Sequence, residues 1–326
     1  MSIKIDEIGY YLPKNIEDLK SLKDDNPDWD VAKIFEKTGV KKRYIALDDE
    51  NTTSMAVKAA NNIRGFDDLK NKIEFLIFVT QNSEYQLPSS ACIVQEILRL
   101  PTSTMCFDIN LGCSGYIYAL GISNSFIESK LFNTGLIICS EKYSSFIDKD
   151  NRTCRPLFSD GSAATLIKAS KNRGLISFDF GTDGKGYDKL IVSKNNTHTI
   201  DKMKHLKKNK LYMNGAEVFL FTINRIPESI YKNLKKFNLS IEDIDLFIFH
   251  QASKLVIDKL SKKLKIPVSK MYNNYNKIGN TVSPTIPIAV KNAKDKGLIK
   301  NNNLIMMIGF GVGYSWGSCI IKWQED

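Results

Sequence analysis

Cys106-Phe107-Asp108-Ile109-Asn110-Leu111-Gly112-Cys113-Ser114-Gly115-Tyr116-Ile117-Tyr118-Ala119-Leu120 is the stretch whose reading decides the fold. The apolar run Thr104 to Ile109 reads as a buried strand, and Asn110-Leu111-Gly112 breaks it. From Ser114 the apolar spacing turns helical, through Ile117, Leu120, Ile122 and Phe126. Cys113 therefore stands where a strand turns sharply into a helix. Gly112 and Gly115 flank it and permit a tight turn and a close approach of substrate to backbone. A thiol there faces the positive end of the helix dipole, which favours thiolate by about 0.3–1 kcal/mol. The competing expectation is an inert buried cysteine, the usual fate of a free Cys. This stretch alone leaves both open.

Working outward, the chain alternates strands and helices. Ile3 to Tyr11 reads as a strand ending at Pro13, and a polar, acidic helical region leads to Thr38-Gly39-Val40. Thr53 to Arg64 predicts a helix, and Ile73 to Val79 a buried strand. Pro88 suits the first turn of a helix reaching about Leu100. Gly135 to Ser140 is a further strand, and Phe158-Ser159-Asp160-Gly161-Ser162 turns into another. The second half repeats this plan. Ile73-Glu74-Phe75-Leu76-Ile77-Phe78 has its counterpart in Ile244-Asp245-Leu246-Phe247-Ile248-Phe249, and Gly161-Ser162 in Gly317-Ser318. The pattern predicts an α/β protein with mixed sheets covered by helices, in two halves, 1–172 and 173–326. A site between the halves follows naturally.

Composition narrows the function. At 326 residues, 43% hydrophobic and 25% charged, the chain has the make-up of a soluble globular protein. No apolar signal core opens it and no run approaches membrane-spanning length, so no membrane insertion is expected. The six cysteines form no CxxC pair and read as reduced thiols in a cytoplasm. With only His198, His205 and His250, no metal site is expected. The net charge of +10 suggests an acidic partner. Much of the excess falls in Lys202, Lys204, Lys207, Lys208 and Lys210, which read as one exposed loop. No nucleic-acid-binding signature accompanies it, so nucleic acid is not expected.

Three further stretches gain meaning together. His250 closes the strand Leu246 to Phe249 and precedes Gln251-Ala252-Ser253, the expected start of a helix. Asn280 lies in Lys277-Ile278-Gly279-Asn280-Thr281-Val282-Ser283-Pro284. Gly309-Phe310-Gly311-Val312-Gly313-Tyr314-Ser315-Trp316-Gly317 is a glycine-rich turn between strands, able to present backbone N–H groups to an anion. Taken singly, each is ordinary: a structural His, a common turn, a tight hairpin.

In combination and order they resemble the beta-ketoacyl-ACP synthases III of the thiolase superfamily, over nearly the whole chain. Thr38-Gly39-Val40, Pro88-Ser89-Ser90-Ala91-Cys92, Phe158-Ser159-Asp160-Gly161-Ser162 and Met213-Asn214-Gly215-Ala216-Glu217-Val218-Phe219 add to the match. The resemblance implies a thiolase fold of two duplicated halves in five αβαβα layers, a homodimer, and no cofactor. It implies that Cys113 takes the acyl group of an acyl-CoA, with the backbone N–H groups of Cys113 and Val312 as the oxyanion hole. His250 and Asn280 would hydrogen-bond the thioester oxygen of malonyl-ACP as it decarboxylates, giving 3-oxoacyl-ACP. An alternative is an acyltransferase that moves the group from Cys113 to an alcohol or amine without decarboxylation. A partner protein that only binds acyl carrier protein (ACP) or acyl chains is disfavoured by the intact Cys113, His250 and Asn280.

The resemblance also locates binding residues. Arg152 falls where an Arg clamps the CoA adenine. The adenine-stacking Trp of the family falls at Lys33 by spacing, with Trp29 one helical turn earlier. His-Gln-Ala-Asn reads Ser253 at its fourth position, a pantetheine contact. The ACP-docking Arg falls at Leu255, beside Lys254. Leu87 replaces the aromatic gate of the acyl pocket, which predicts room for a primer bulkier than acetyl unless a neighbour such as Tyr85 or Phe219 refills the space.

Overall fold

The computed structural model describes residues 2–171, 175–194 and 206–325. His198, His205, Lys202 and Lys204 lie outside the described residues, as does the junction at 172–174.

Two main sheets organise the chain. The first runs in the order β1 (Ser2–Tyr11), β7 (Gly161–Ser170), β6 (Thr134–Glu141), β4 (Phe75–Val79), β5 (Met105–Ile109). The second runs β8 (Leu175–Thr182), β13 (Ser315–Lys322), β12 (Leu304–Gly311), β11 (Leu246–Phe249). In each, two antiparallel pairings are followed by a parallel one: β1–β7, β7–β6, β6–β4 in the first, β8–β13, β13–β12, β12–β11 in the second. The two internal sequence similarities fall on equivalent strands, β4 with β11 and β7 with β13. β5 is the addition to the first sheet, and among the described residues its outer edge is unpaired. Two small pairs lie aside: β2 (Asn15–Asp18) with β3 (Lys42–Ile45), and β9 (Leu190–Val192) with β10 (Leu211–Met213).

The period of two along each strand decides the layers. Phe75, Ile77 and Val79 turn to the middle of the molecule, while Leu76 and Phe78 face α3 (Thr52–Asn61) and α5 (Ser90–Leu98) on the outside. In the second sheet, Leu246 and Ile248 face inward, and Phe247 and Phe249 pack on α7 (Gly215–Lys235) and α8 (Lys254–Leu264). Between the sheets lie α6 (Gly115–Glu128) and α10 (Thr285–Asp295). The succession is helix, sheet, helix, sheet, helix. Strands covered on both faces need continuous apolar runs, which is why Phe75 to Val79 and Leu246 to Phe249 carry no polar residue. The first two turns of α6 are apolar all round, as suits a helix between two sheets: Tyr116, Ile117, Ala119 and Leu120 are buried. Each such large side chain contributes about 1.5–3 kcal/mol.

Other helices are α1 (Leu19–Asp25), α2 (Val31–Thr38), α4 (Phe66–Leu69) and α9 (Tyr275–Ile278). Trp29 packs with Leu22 and Ile34 in a small cluster. The Lys-rich stretch is not simply a solvated loop where it is described. Lys210 and Lys207 reach Asp148 at 2.5 and 3.9 Å, and Lys208 bridges to Ser193. No described helix is long and apolar enough to cross a membrane.

Candidate active site

Cys113 lies between β5 and α6, only 6% exposed. Its helix starts without a side-chain cap, because the Ser114 hydroxyl is spent on Ser315 of β13, 2.7 Å away. The flanking glycines prove necessary for packing. A Cβ on Gly112 would lie 2.4 Å from Gln81 Oε1, and one on Gly115 2.4 Å from Val79 Cγ1. Protein side chains approach the backbone closely at both. Gly311 meets the sulfur itself: a Cβ there would stand 3.0 Å from Cys113 Sγ.

The sulfur is held as the thiol. Burial pushes the Cys113 thiol up to about 12, and the nearby Glu141 carboxyl adds to the rise. Hydrogen bonds from the backbone N–H groups of Cys113 and Val312 pull the other way without prevailing. The dipole benefit expected from sequence, below about 1 kcal/mol, is outweighed because full burial shifts such groups by several pH units.

His250 follows β11, and its backbone N–H donates to Ile308 O at 2.7 Å, continuing the parallel ladder. Its ring meets the edge of Phe310, and burial lowers its pKa to about 3, so the imidazole is neutral. Nδ1 lies 2.7 Å from Thr285 Oγ1, and Nε2 lies 3.4 Å from Asn280 Nδ2. Asn280 is fixed by its backbone, which bridges to Phe158 through Ser159 N–H donating to Asn280 O at 2.8 Å and Asn280 N–H donating to Leu157 O at 3.0 Å. Its side-chain carbonyl accepts from Val282 N–H at 2.9 Å, which turns the NH2 toward His250. Val282 adopts φ +65°, a strained left-handed conformation for a β-branched residue.

Two buried residues that sequence reasoning passed over complete the surroundings. Glu141 ends β6 among uncharged hydrogen-bond partners. It accepts from Ser283 Oγ at 2.9 Å, Gln81 N–H at 3.1 Å and Thr80 Oγ1 at 3.5 Å. Burial raises it to about 8, so it is protonated at neutral pH. Tyr143 packs with Cys113, Leu190 and Val282, its ring against Phe158 and Phe146, and its hydroxyl donates to Gln81 Oε1 at 2.7 Å. The available signal was a lone acid closing the apolar strand Gly135 to Ser140, followed two residues on by a tyrosine.

A cavity of about 670 Å³ brings Cys113, His250 and Asn280 together, with Arg152, Phe219 and Ser253 also on its wall. Lys33, Lys37 and Leu255 line it, whereas Trp29 and Lys254 do not. Lys254 is paired with Asp258 at 2.7 Å, and Ser253 caps α8 by accepting from Val256 N–H at 3.4 Å. A second cavity, of about 720 Å³, has Val312, Leu190 and Tyr143 on its wall and polar residues from Gln81 to Gln86 at its rim. Leu87 lines neither cavity and is 80% exposed. No cluster of potential metal ligands occurs among the described residues.

The sequence matches two family descriptions, 3-oxoacyl-[acyl-carrier-protein] synthase III over residues 107–184 and the C-terminal part of the same synthase over residues 234–323. It is 37% identical over 332 residues to the beta-ketoacyl-[acyl-carrier-protein] synthase III of Clostridium novyi, covering 99% of each chain. Among solved structures, a 3-oxoacyl-(acyl-carrier-protein) synthase III superposes with a TM-score of 0.93 at 33% identity, covering 99% of this chain and 100% of that one. The 3-oxoacyl-[acyl-carrier-protein] synthase III of Aquifex aeolicus gives 0.89 at 32%, covering 98% and 100%.

Proposed function

Because the chain belongs to the 3-oxoacyl-ACP synthase III family, whose members condense an acyl-CoA with malonyl-ACP, we propose that Cys113 carries the acyl group and that His250 and Asn280 drive the condensation. The observation that supports this most is one cavity holding the Cys113 sulfur together with the Nε2 of His250 and the Nδ2 of Asn280.

In the first half-reaction the Cys113 sulfur attacks the acyl-CoA carbonyl. The carbon–sulfur bond to CoA breaks, and the proton of the Cys113 thiol ends on the departing CoA sulfur. The oxyanion is held by the backbone N–H groups of Cys113 and Val312. One such donor is worth about 3–4 kcal/mol in the barrier. In the second, the malonyl carboxylate leaves as CO2 and its electron pair passes to a thioester enolate, whose oxygen accepts hydrogen bonds from His250 and Asn280. The enolate carbon then attacks the acyl carbonyl. Cys113 departs as thiolate and takes a proton from solvent. The halves 1–172 and 173–326 divide this labour, the first carrying the nucleophile and the second both side-chain donors. No metal or organic cofactor takes part in these steps.

Lys33, Lys37 and Arg152 at the mouth of the cavity suit the phosphates of CoA and the acidic surface of ACP. Lys33 occupies the place of the family's stacking Trp, so charge replaces stacking there, and Trp29 is committed to its own cluster. Lys254 and Ser253 start the helix beside that mouth. The primer meets Tyr143, Phe158, Leu190 and Val312 beyond Cys113. Within this chain the buried Tyr143 ring packs with Cys113 and supports a limit on depth, beside the gate expected at the exposed Leu87. The open edge of β5, with exposed Leu87 and Tyr85 near it, supports a homodimer formed along that edge. The reaction belongs in a cytoplasm, where acyl-CoA and ACP thioesters are found.

Intact-protein mass spectrometry with a panel of acyl-CoAs tests the first half, and CO2 release from malonyl-ACP the second. Wild type should gain one acyl mass, lost in Cys113→Ala. An acylated enzyme that never releases CO2 but passes its acyl group to an alcohol or amine would replace this reading.

A further inference from the structure

The neutral imidazole of His250 carries one proton, on Nδ1 or on Nε2, and the two tautomers do opposite things in the cavity. With Nε2 bare, the ring presents a lone pair where the thioester oxygen must sit. With Nε2–H, it presents a donor. The choice is made behind the ring, at Thr285 Oγ1, 2.7 Å from Nδ1. Thr285 has a single hydroxyl proton and two acceptors within reach, His250 Nδ1 and Val282 O, the latter at 2.9 Å. If the proton goes to Val282, Nδ1 must be the donor and Nε2 is bare. If it goes to Nδ1, Nε2 is protonated.

Resting on the condensation chemistry above, we propose that Thr285 is a positioning residue: its hydroxyl donates to Nδ1 and holds His250 as the Nε2–H tautomer needed for the enolate. Two observations favour this arrangement. Val282 O keeps a second donor, Thr285 N–H at 3.3 Å, so it is not orphaned when the hydroxyl turns away. The Asn280 contact to Nε2, at 3.4 Å, is at the outer limit of a hydrogen bond, as suits two donors awaiting a shared acceptor. The Asn280 amide keeps its NH2 toward Nε2, because its oxygen is held by Val282 N–H at 2.9 Å, so Asn280 is itself a donor to the enolate. The strained Val282 thus serves both side chains, through its N–H for Asn280 and through its C=O as the alternative acceptor for Thr285.

The variants Thr285→Val, of the same shape without the hydroxyl, and Thr285→Ser, which keeps it, test the assignment. Thr285→Val should acylate Cys113 within a few-fold of wild type. It should release CO2 from malonyl-ACP about 10²-fold more slowly, with KM little changed, as expected for one lost transition-state donor. Thr285→Ser should restore most of the rate. The imidazole nitrogen NMR shifts of wild type, assigned by comparison with His250→Ala, should show Nε2 protonated and Nδ1 bare. The shifts of wild type need no variant to fold, and Nδ1 protonated there would overturn the proposal. So would Thr285→Val releasing CO2 at the wild-type rate. Wild type that releases no CO2 at all would instead defeat the condensation reading, while the shifts would still report the tautomer.

Discussion

Glu141→Gln should change how stability depends on pH. The native protein holds a proton on Glu141 up to about pH 8, whereas the unfolded chain releases it near 4.5. Between those values the unfolded state binds fewer protons, so stability falls as pH rises. At about 1.4 kcal/mol per pH unit, the whole window amounts to roughly 5 kcal/mol. His250 works in the opposite sense. Its pKa drops from 6.5 to about 3, so its contribution is complete above 6.5 and is lost as pH falls toward 3. Between pH 4.5 and 6.5 the two effects cancel and the wild type should be flat. From 6.5 to 8 Glu141 acts alone and removes about 2 kcal/mol. Glutamine keeps the shape, an acceptor for Gln81 N–H and a donor for Ser283, and carries no titrating proton. Urea unfolding of both proteins at pH 5, 6.5, 8 and 9 reads the difference. The variant should gain on wild type by about 2 kcal/mol between 6.5 and 8 and lose the plateau below 6.5, where His250 is then uncompensated. A stability difference between the two proteins that stays constant across pH would refute the reasoning.

His250→Ala and Asn280→Ala should each slow CO2 release from malonyl-ACP by about 10²–10³-fold while Cys113 still acquires its acyl mass, because the first half-reaction uses backbone donors; equal loss of both steps would contradict this division. Condensation should weaken as salt rises from low to moderate, through KM for malonyl-ACP, and Lys37→Ala should flatten that dependence. Tyr143→Leu should shift primer preference toward longer acyl-CoAs by several-fold per added methylene, at about 0.8 kcal/mol each, whereas Leu87→Phe should act only through the dimer; a series from acetyl- to octanoyl-CoA on both variants separates the two walls.

The architecture was legible because each buried strand is apolar on both faces and each outer helix on one. Phe75 to Val79 and Leu246 to Phe249 announced covered parallel strands, and the Cys113 turn announced the helix between the sheets. Cys113, His250 and Asn280 stood out by their order along the chain, and the fold brings them to one cavity. Polar and exposed elements were less legible: β2, Asn15-Ile16-Glu17-Asp18, has almost no apolar signature and exists through its pairing with β3. Ionisation was misjudged for a physical reason. A helix N-terminus is visible in sequence, but the burial that overrides it at Cys113 depends on packing from Val282, Tyr143 and Phe158, far away along the chain. Glu141 and Tyr143 escaped notice likewise, since nothing local distinguishes a buried acid from a strand-end charge.

The duplicated plan explains why the chemistry sits where it does. Each half contributes one helix to the middle layer, α6 from the first and α10 from the second, and both begin beside the same cavity. At the start of α6 the residue turned inward is Cys113; just before and at the start of α10 they are Asn280, Val282 and Thr285. Two helix N-termini converging on one enclosed space supply partial positive charge from both sides. That field suits both anions the reaction generates, the tetrahedral oxyanion on one side and the enolate on the other. A duplicated fold therefore provides the electrostatics twice over, and the sequences of the two turns need differ only in which groups they offer. One offers a sulfur and its own backbone N–H, beside Val312 in the turn between β12 and β13. The other offers the Asn280 amide, whose oxygen is held by Val282 N–H, facing His250 at the end of β11.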